Sequence, residues 1–307
     1  MEFKSIKDFK DNFAKIYHEK VAPQLKYIDN ERIVIQKKAK LYSTISFSTG
    51  AVAAVTGFFL QTELAIWIGV GVCVLAFIIY SIMQKNFENK LKTQLMPLFM
   101  QAFGNFKWST NEVIPTFEIK DSAIFERFSN RDVDDNFTGI YRGMPIEISE
   151  TELYYYVSTR NGRQRRDVFK GVVISIGVGK NFTGHTIVRL REFLFNNRIY
   201  DEVKLEDPEF SKKYFVDSDD QIEARYLLTT AFMERFKNIS TAFGACAECS
   251  FKNGKILIAL TTHKDLFRLG RLNTPVTDTA PYMQFLKEII SIFEMIDHLK
   301  LLEKTGL

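Results

Sequence analysis

GFFLQTELAIW, residues 57–67, sets three polar residues between two long uncharged runs. Leu41 to Leu60 and Leu64 to Met83 are twenty residues each, and Glu63 is the single formal charge between positions 41 and 84. At about 1.5 Å of rise per residue each run spans about 30 Å as a helix, the thickness of a bilayer's hydrocarbon core. Neither run has the polar face that a helix of a soluble domain presents to water. The pattern predicts a transmembrane helical hairpin, 41–83, with spans 41–60 and 64–83 and Gln61-Thr62-Glu63 as the exposed reversal.

The flanks agree with two spans. Tyr42, Trp67 and Tyr80 fall where amphipathic rings prefer the membrane interface, and Lys37, Lys38 and Lys40 precede the first run. Lys85, Lys90 and Lys92 follow the second, while the connection holds no Lys or Arg. The positive-inside rule then predicts a multi-pass protein with both termini in the cytoplasm. Ser46, Gly50 and Ala54 recur every fourth residue, and Gly69 and Cys73 do the same, which predicts close backbone packing within the hairpin. Asp, Glu, Lys, Arg and His are missing from both runs, which argues against an ion or proton pathway.

Charge is uneven along the 307 residues. Positions 1–40 carry 10 Lys and Arg against 6 Asp and Glu, whereas 85–307 hold 31 against 30. A nearly neutral large domain lacks the basic excess of a nucleic-acid binder, so no nucleic acid is expected as a partner. Three cysteines, Cys73, Cys246 and Cys249, are too few for a disulfide framework and suit a reducing compartment. The first 40 residues are charged throughout, unlike a secretory signal peptide.

Residues 1–40 form a cytoplasmic segment in which 3–17 make an amphipathic helix, with Phe3, Ile6, Phe9, Phe13, Ile16 and Tyr17 on one face. That face suits either the inner-leaflet interface or a docked position on the cytoplasmic domain. The mixed signs opposite it favour docking. Phe87, Leu91 and Leu95 extend the second span as a stalk over 84–104, with Pro97 expected to kink or end it.

From 105 to 307 the pattern is α+β, a mostly antiparallel sheet with covering helices. FTGIYRG (137–143), MPIEISETELYYYVS (144–158), VFKGVVISIGV (168–178) and HTIVRL (185–190) read as paired strands, followed by KKYFVDS (212–218). DDQIEARYLLTTAFMERFKN (219–238) reads as one helix opened by a Ser218–Gln221 capping box. ACAECSF (245–251) and KILIALT (255–261) read as a hairpin about Asn253-Gly254. Pro281 opens a last helix, with Phe285, Ile289, Ile292, Ile296 and Leu299 on one face.

Over roughly 100–300 the chain resembles an uncharacterised bacterial membrane-protein family, domain of unknown function 3137. The likeness rests on Phe169-Lys170-Gly171, Phe182-Thr183-Gly184-His185-Thr186 and Asp220-Gln221-Ile222-Glu223-Ala224-Arg225-Tyr226-Leu227-Leu228, in that order after two apolar runs. It implies a two-span anchor in the bacterial inner membrane with a cytoplasmic α+β domain, and no activity or catalytic residue.

Candidate chemistry is sparse. Cys246-Ala-Glu-Cys249 has redox spacing but falls in a strand, where positions three apart face opposite sides, so buried strand cysteines are expected. Gly177-Val-Gly179-Lys180-Asn181 lacks the hydroxyl residue and helix of a phosphate loop and reads as a hairpin turn. Asp134, Asp135, Glu223 and His185 suit a membrane-tethered hydrolase if at least three of them share one pocket. Arg160-Asn-Gly-Arg163-Gln-Arg165-Arg166 reads as a basic hairpin tip, solvated or touching lipid head groups. The expected role is therefore a membrane-anchored, non-catalytic binding or regulatory module without cofactor or metal. Its expected partner is the lipid bilayer, with a second membrane protein as a further candidate; no small-molecule ligand is indicated. The alternatives are the tethered hydrolase and a subunit of an envelope or transport assembly.

Overall fold

The computed structural model describes residues 6–160, 162–179, 182–193, 199–262 and 267–304, with backbone alone at 193 and 298–304. The chain divides into two compact units: Phe13–Phe99 with Arg268–Met283, and Met1–Asn12 with Met100–Phe267 and Gln284–Leu307.

The helical unit is built on two long antiparallel helices. Helix α1 (Ile6–Ile16) passes through a π-helical turn, Tyr17–Val21, into α2 (Ala22–Phe59), with Pro23 in the first turn of α2 where its missing N–H costs nothing. Residues 22–40, part of the helical segment expected over 1–40, are continuous with the first apolar run in one helix. Leu60–Thr62 reverse the chain, with Gln61 in the left-handed region at φ 54°, and α3 runs from Glu63 to Ala102. Pro97 neither ends nor breaks α3. Its ring and Thr93, whose carbonyl loses its amide partner, are both on the exposed side, while Leu95, Met96, Phe99 and Met100 hold the buried side in register. Where the helices cross, a Cβ on Gly69 would lie 2.5 Å from the Gly50 carbonyl oxygen, and one on Gly50 2.7 Å from the Gly69 oxygen. The small-residue stripes thus pack against each other within the hairpin. Of the two helices, α3 alone is long and apolar enough by composition to count as a membrane span. The six Ser and Thr residues of the run, Ser43, Thr44, Ser46, Ser48, Thr49 and Thr56, keep α2 below that mark.

A returning segment, 268–283, straps the pair. The Arg32 guanidinium donates to the Leu272 carbonyl (3.0 Å) and to Asp29 Oδ1 (2.7 Å), and Asp29 Oδ1 also accepts from the Val276 amide (2.8 Å). The Arg32 hydrogen bond holds the Asp29 carboxyl below its ordinary range. Tyr80 donates to Asn273 Oδ1 at 2.6 Å, and Tyr282 to the Val276 carbonyl at 2.7 Å.

Among the described residues the sheet unit holds nine antiparallel strands: β1 (Lys107–Ser109), β2 (Asn130–Tyr141), β3 (Met144–Thr159), β4 (Gly162–Gly177), β5 (Thr186–Leu190), β6 (Asp201–Glu202), β7 (Tyr214–Ser218), β8 (Cys246–Lys252) and β9 (Lys255–Thr261). Their order is β1-β2-β3-β4-β9-β8-β5-β7-β6. The two edge strands are very short, which limits stray strand pairing. The β8–β9 hairpin turns at Asn253-Gly254, both at positive φ, as that pair demands. It inserts between β4 and β5, so the expected β4–β5 hairpin does not form, and Gly177 ends a strand instead of opening a hairpin turn. Lys180 and Asn181 lie outside the described residues.

One row crosses seven strands: Phe137, Ile148, Ile174, Ile258, Cys249, Val188 and Val216. Helices α7 (Thr230–Phe243) and α8 (Ala280–Lys304) cover this face, with Phe232 at 5.3 Å from Phe251, Phe285 at 5.8 Å from Phe137 and Phe293 stacked at 4.1 Å on Tyr141. The stripe of α8 faces the sheet through Phe285, Ile289, Ile292 and Ile296, all buried; the side chain of Leu299 lies outside the described residues. On the opposite face Ile114, Ile119, Ile124 and Phe128, with α4 (Thr116–Asp121) among them, pack on Leu153, Phe169, Val173, Ile187, Leu257 and Ala259. Phe9 of α1 sits between Phe103 and Phe293 in this unit, and Phe13 stacks on Phe99 in the helical unit. The apolar face of α1 is therefore docked on protein, not laid on lipid; Phe3 lies outside the described residues.

The single helix expected over 219–238 is two: α6 (Gln221–Leu227) and α7, divided where the Thr229 hydroxyl caps the Phe232 amide at 3.2 Å. The cap of α6 is Asp220, accepting from the Ile222 and Glu223 amides, and Ser218 supports Asp220 in place of forming a capping box. Helix α5 (Pro208–Lys213) precedes β7.

Two substitutions test this packing. Gly69→Leu is expected to lower the melting temperature of the detergent-purified chain, whereas Gly71→Leu, with open space around its Cβ, is expected to be tolerated. Arg32→Ala removes one partner of a largely buried ion pair and is expected to cost about 3 kcal/mol, with proteolysis appearing first between 268 and 283.

Candidate functional site

Asp134 and Asp135 form a bulge in β2 between Val133 and Asn136, opposite Glu150 of β3. Trp108 donates its indole N–H to Asp135 Oδ1 at 2.8 Å, and Asp135 is fully buried. One carboxylate oxygen each from Asp134, Asp135 and Glu150 lies within 4.8 Å of the others. Three such oxygens are the donor type of a hard cation such as Mg²⁺ or Ca²⁺. Glu150 was not singled out from the sequence; a bulge places it, and bulges leave little trace in residue patterns.

Glu223 and His185 belong to a different place. β2 and β5 are five strands apart in the sheet order, about 24 Å at the usual strand spacing. Asp134 and Asp135 therefore do not meet His185 and Glu223, and the pocket required by the hydrolase reading is not assembled.

What His185 and Glu223 do build is a latch. Glu223 accepts from the Thr183 amide (3.0 Å) and the Gly184 amide (2.8 Å), Asp219 Oδ1 accepts from the His185 amide (2.6 Å), and the Thr183 hydroxyl donates to Asp220 Oδ2 (3.1 Å). A Cβ on Gly184 would come within 2.6 Å of Asp219 Oδ1, so glycine alone lets the segments close. The buried His185 ring reaches Ser250 Oγ (2.9 Å) and the Ser122 carbonyl (3.2 Å) through Nε2, and the Tyr200 hydroxyl (3.3 Å) through Nδ1. A carbonyl can only accept, which assigns the proton to Nε2 and leaves Nδ1 to accept from Tyr200. Phe169-Lys170-Gly171 is likewise structural. Phe169 packs on Phe125, Lys170 pairs with Glu152, and Gly171 at φ 155° lets the Leu260 carbonyl approach where a Cβ would collide.

The arginines of 163–166 are exposed beside a hairpin tip, as expected, but belong to a strand and not to a loop. They lie on β4, paired with β3, with Arg163 over Tyr156 (4.5 Å) and Arg165 over Tyr154 (3.8 Å). Arg165 also bridges Glu152, Asp167 and Asp132. Asn161, at the tip, lies outside the described residues. Cys246 and Cys249 face opposite sides of β8 as expected, but Cys246 is exposed; burial pushes the Cys249 thiol well up, which leaves it inert.

Burial, reinforced by Lys252, pushes the His185 pKa down. The folded chain keeps this ring neutral while the unfolded chain takes up a proton near pH 6.5. Stability is therefore present above that pH and is lost as pH falls below it, by at most about 1.4 kcal/mol per pH unit for one proton. Urea unfolding at pH 7.5, 6 and 5 should show this loss, and His185→Gln should flatten it.

No curated protein matches the chain. Among solved structures, the crystal structure of the mycobacterial trehalose monomycolate transport factor A, TtfA, is similar at 12% identity with a TM-score of 0.37, over 64% of this chain and 89% of that one. So loose a likeness carries no argument about fold or role. Two of the three motif segments contribute Thr183, Gly184, His185, Asp220 and Glu223 to the latch. Residues 167–301, from the middle of β4 into α8, match the model of a family described as Protein of unknown function (DUF3137).

Proposed function

We propose that the chain is a membrane-anchored binding or regulatory module, with 41–60 and 64–83 crossing the bilayer and both termini on the cytoplasmic side. The observation that carries this reading is the exposure of large apolar side chains on both helices of the hairpin. Phe47, Phe58 and Phe59 of α2 are 65%, 71% and 78% exposed, and Trp67 and Phe77 of α3 are 70% and 72% exposed. Leu41, Ile45, Val52, Leu64, Leu75 and Ile82 extend the same surface. In water such a surface would far exceed the apolar patch a soluble monomer tolerates, whereas lipid tails cover it at no cost. The hydroxyls that lower the hydropathy of α2 are accommodated within it. Thr49 donates to the Ile45 carbonyl and Thr56 to the Val52 carbonyl, so neither requires water.

A non-catalytic role is supported by the fate of the acidic and histidine groups, whose polar atoms are committed to the latch and the β2 bulge. Membrane fractionation of the full chain, with Thr62→Cys labelled from outside, tests the anchor. The chain should resist carbonate extraction and dissolve in detergent. Thr62→Cys should react with an impermeant maleimide in intact cells, while the exposed Cys246 reacts only after lysis. Release by carbonate, or labelling of Cys246 from outside, would overturn the arrangement.

A further inference from the structure

We propose that the base of the hairpin carries a cationic rim that selects anionic phospholipid head groups, completed by Arg271 from the strap. This rests on the anchored reading above. The level of each side chain follows from the helix register. Gly50 faces Gly69 and Gly57 faces Ala65 across the pair. Moving about ten residues back along α2 and forward along α3 brings Lys40 level with Tyr80, and Lys37 level with Met83 to Lys85. Lys37, Lys38, Lys40 and Lys85 thus share a band about one helical turn deep where the apolar surface ends, and all four are exposed. The strap adds a cation that the sequence places almost two hundred residues away. Tyr80 anchors Asn273 at 2.6 Å and Arg32 anchors Leu272 at 3.0 Å, so exposed Arg271 is held between the level of Tyr80 and that of Arg32.

The carboxylates nearby do not neutralise this band. Glu31 pairs with Lys90 (2.8 Å), Glu88 with Arg268 (3.5 Å) and Asp29 with Arg32 (2.7 Å), each farther along the helices from the apolar surface. Among the described residues no ion pair engages Lys37, Lys38, Lys40, Lys85 or Arg271. Cations at that depth sit among the phosphates of a bilayer, where a guanidinium forms paired hydrogen bonds and each charge strengthens the attraction to anionic lipid. A leaflet containing phosphatidylglycerol or a comparable anionic lipid is the partner this chemistry fits.

The full chain, incorporated into nanodiscs of phosphatidylcholine alone or mixed with phosphatidylglycerol, tests the rim, with retained lipid read by native mass spectrometry. Wild type should retain phosphatidylglycerol over phosphatidylcholine. Arg271→Gln should reduce that selectivity about fivefold at low ionic strength, and about 0.5 M salt should erode it. The combined Lys37, Lys38, Lys40, Lys85 and Arg271 to Gln variant should abolish it. Tyr80→Phe, which cuts the strap's hydrogen bond and leaves every charge in place, should give a partial loss. Arg271→Gln alters one exposed side chain and remains informative if the five-site variant does not fold. Equal retention of both lipids, unchanged selectivity in the variants, or displacement by added inorganic phosphate would overturn the rim while leaving the anchor intact. Failure to enter nanodiscs of either composition would overturn both.

Discussion

The central strands are buried on both faces, and most of the sheet unit follows from that constraint. One face is apolar across seven strands and takes α7 and α8. The other mixes apolar residues with Ser149, Thr151, Ser175, Ser250 and Asp217, each of which must find a partner once water is excluded. The 113–128 segment supplies both kinds of cover. Its isoleucines fill the gaps, and Arg131 ties it down by reaching Thr151, Ser149 and the Ile114 carbonyl. Asp217 Oδ2 accepts from Arg189 and from the Ile199 and Tyr200 amides. The same demand explains His185, whose ring bonds reach Ser122, Tyr200 and Ser250 on three separate segments.

The helical unit obeys a different rule. The pair is held by close backbone approach at Gly50 and Gly69 and, beyond the apolar stretch, by polar contacts. The strap provides those contacts through one node, Arg32 with Asp29, which fixes both Leu272 and Val276. A segment distant in sequence thereby sets the geometry at the foot of the hairpin.

Legibility in the sequence tracked how local each signal is. The apolar runs, the Asn253-Gly254 hairpin and the stripe of α8 depend on neighbours within a few residues, and they were readable. The division of 219–238 was missed because Thr229 resembles any helix-surface threonine until its hydroxyl is seen capping Phe232. Pro97 misled because the cost of proline depends on whether the freed carbonyl meets water, and here it lies on the exposed side. The β4–β5 pairing failed because strand order is set by long-range insertion of β8–β9, which periodicity does not encode. The grouping of Asp134 and Asp135 with Glu150 needed a bulge, and the separation of those two from His185 needed the whole strand order.

A group that does chemistry must keep a lone pair or a proton available to a substrate. The motif residues of the 167–301 segment have spent theirs. Both oxygens of Glu223 face backbone amides, Asp220 takes two amides and a hydroxyl, and Asp219 takes the amide of His185. Residues so committed define a shape, and Gly184 and Gly171 confirm it by tolerating approaches that no side chain would allow. A family signature of this kind marks how the domain closes on itself. The exposed cations at the foot of the hairpin stand apart from this pattern: among the described residues no ion pair engages Lys37, Lys38, Lys40, Lys85 or Arg271.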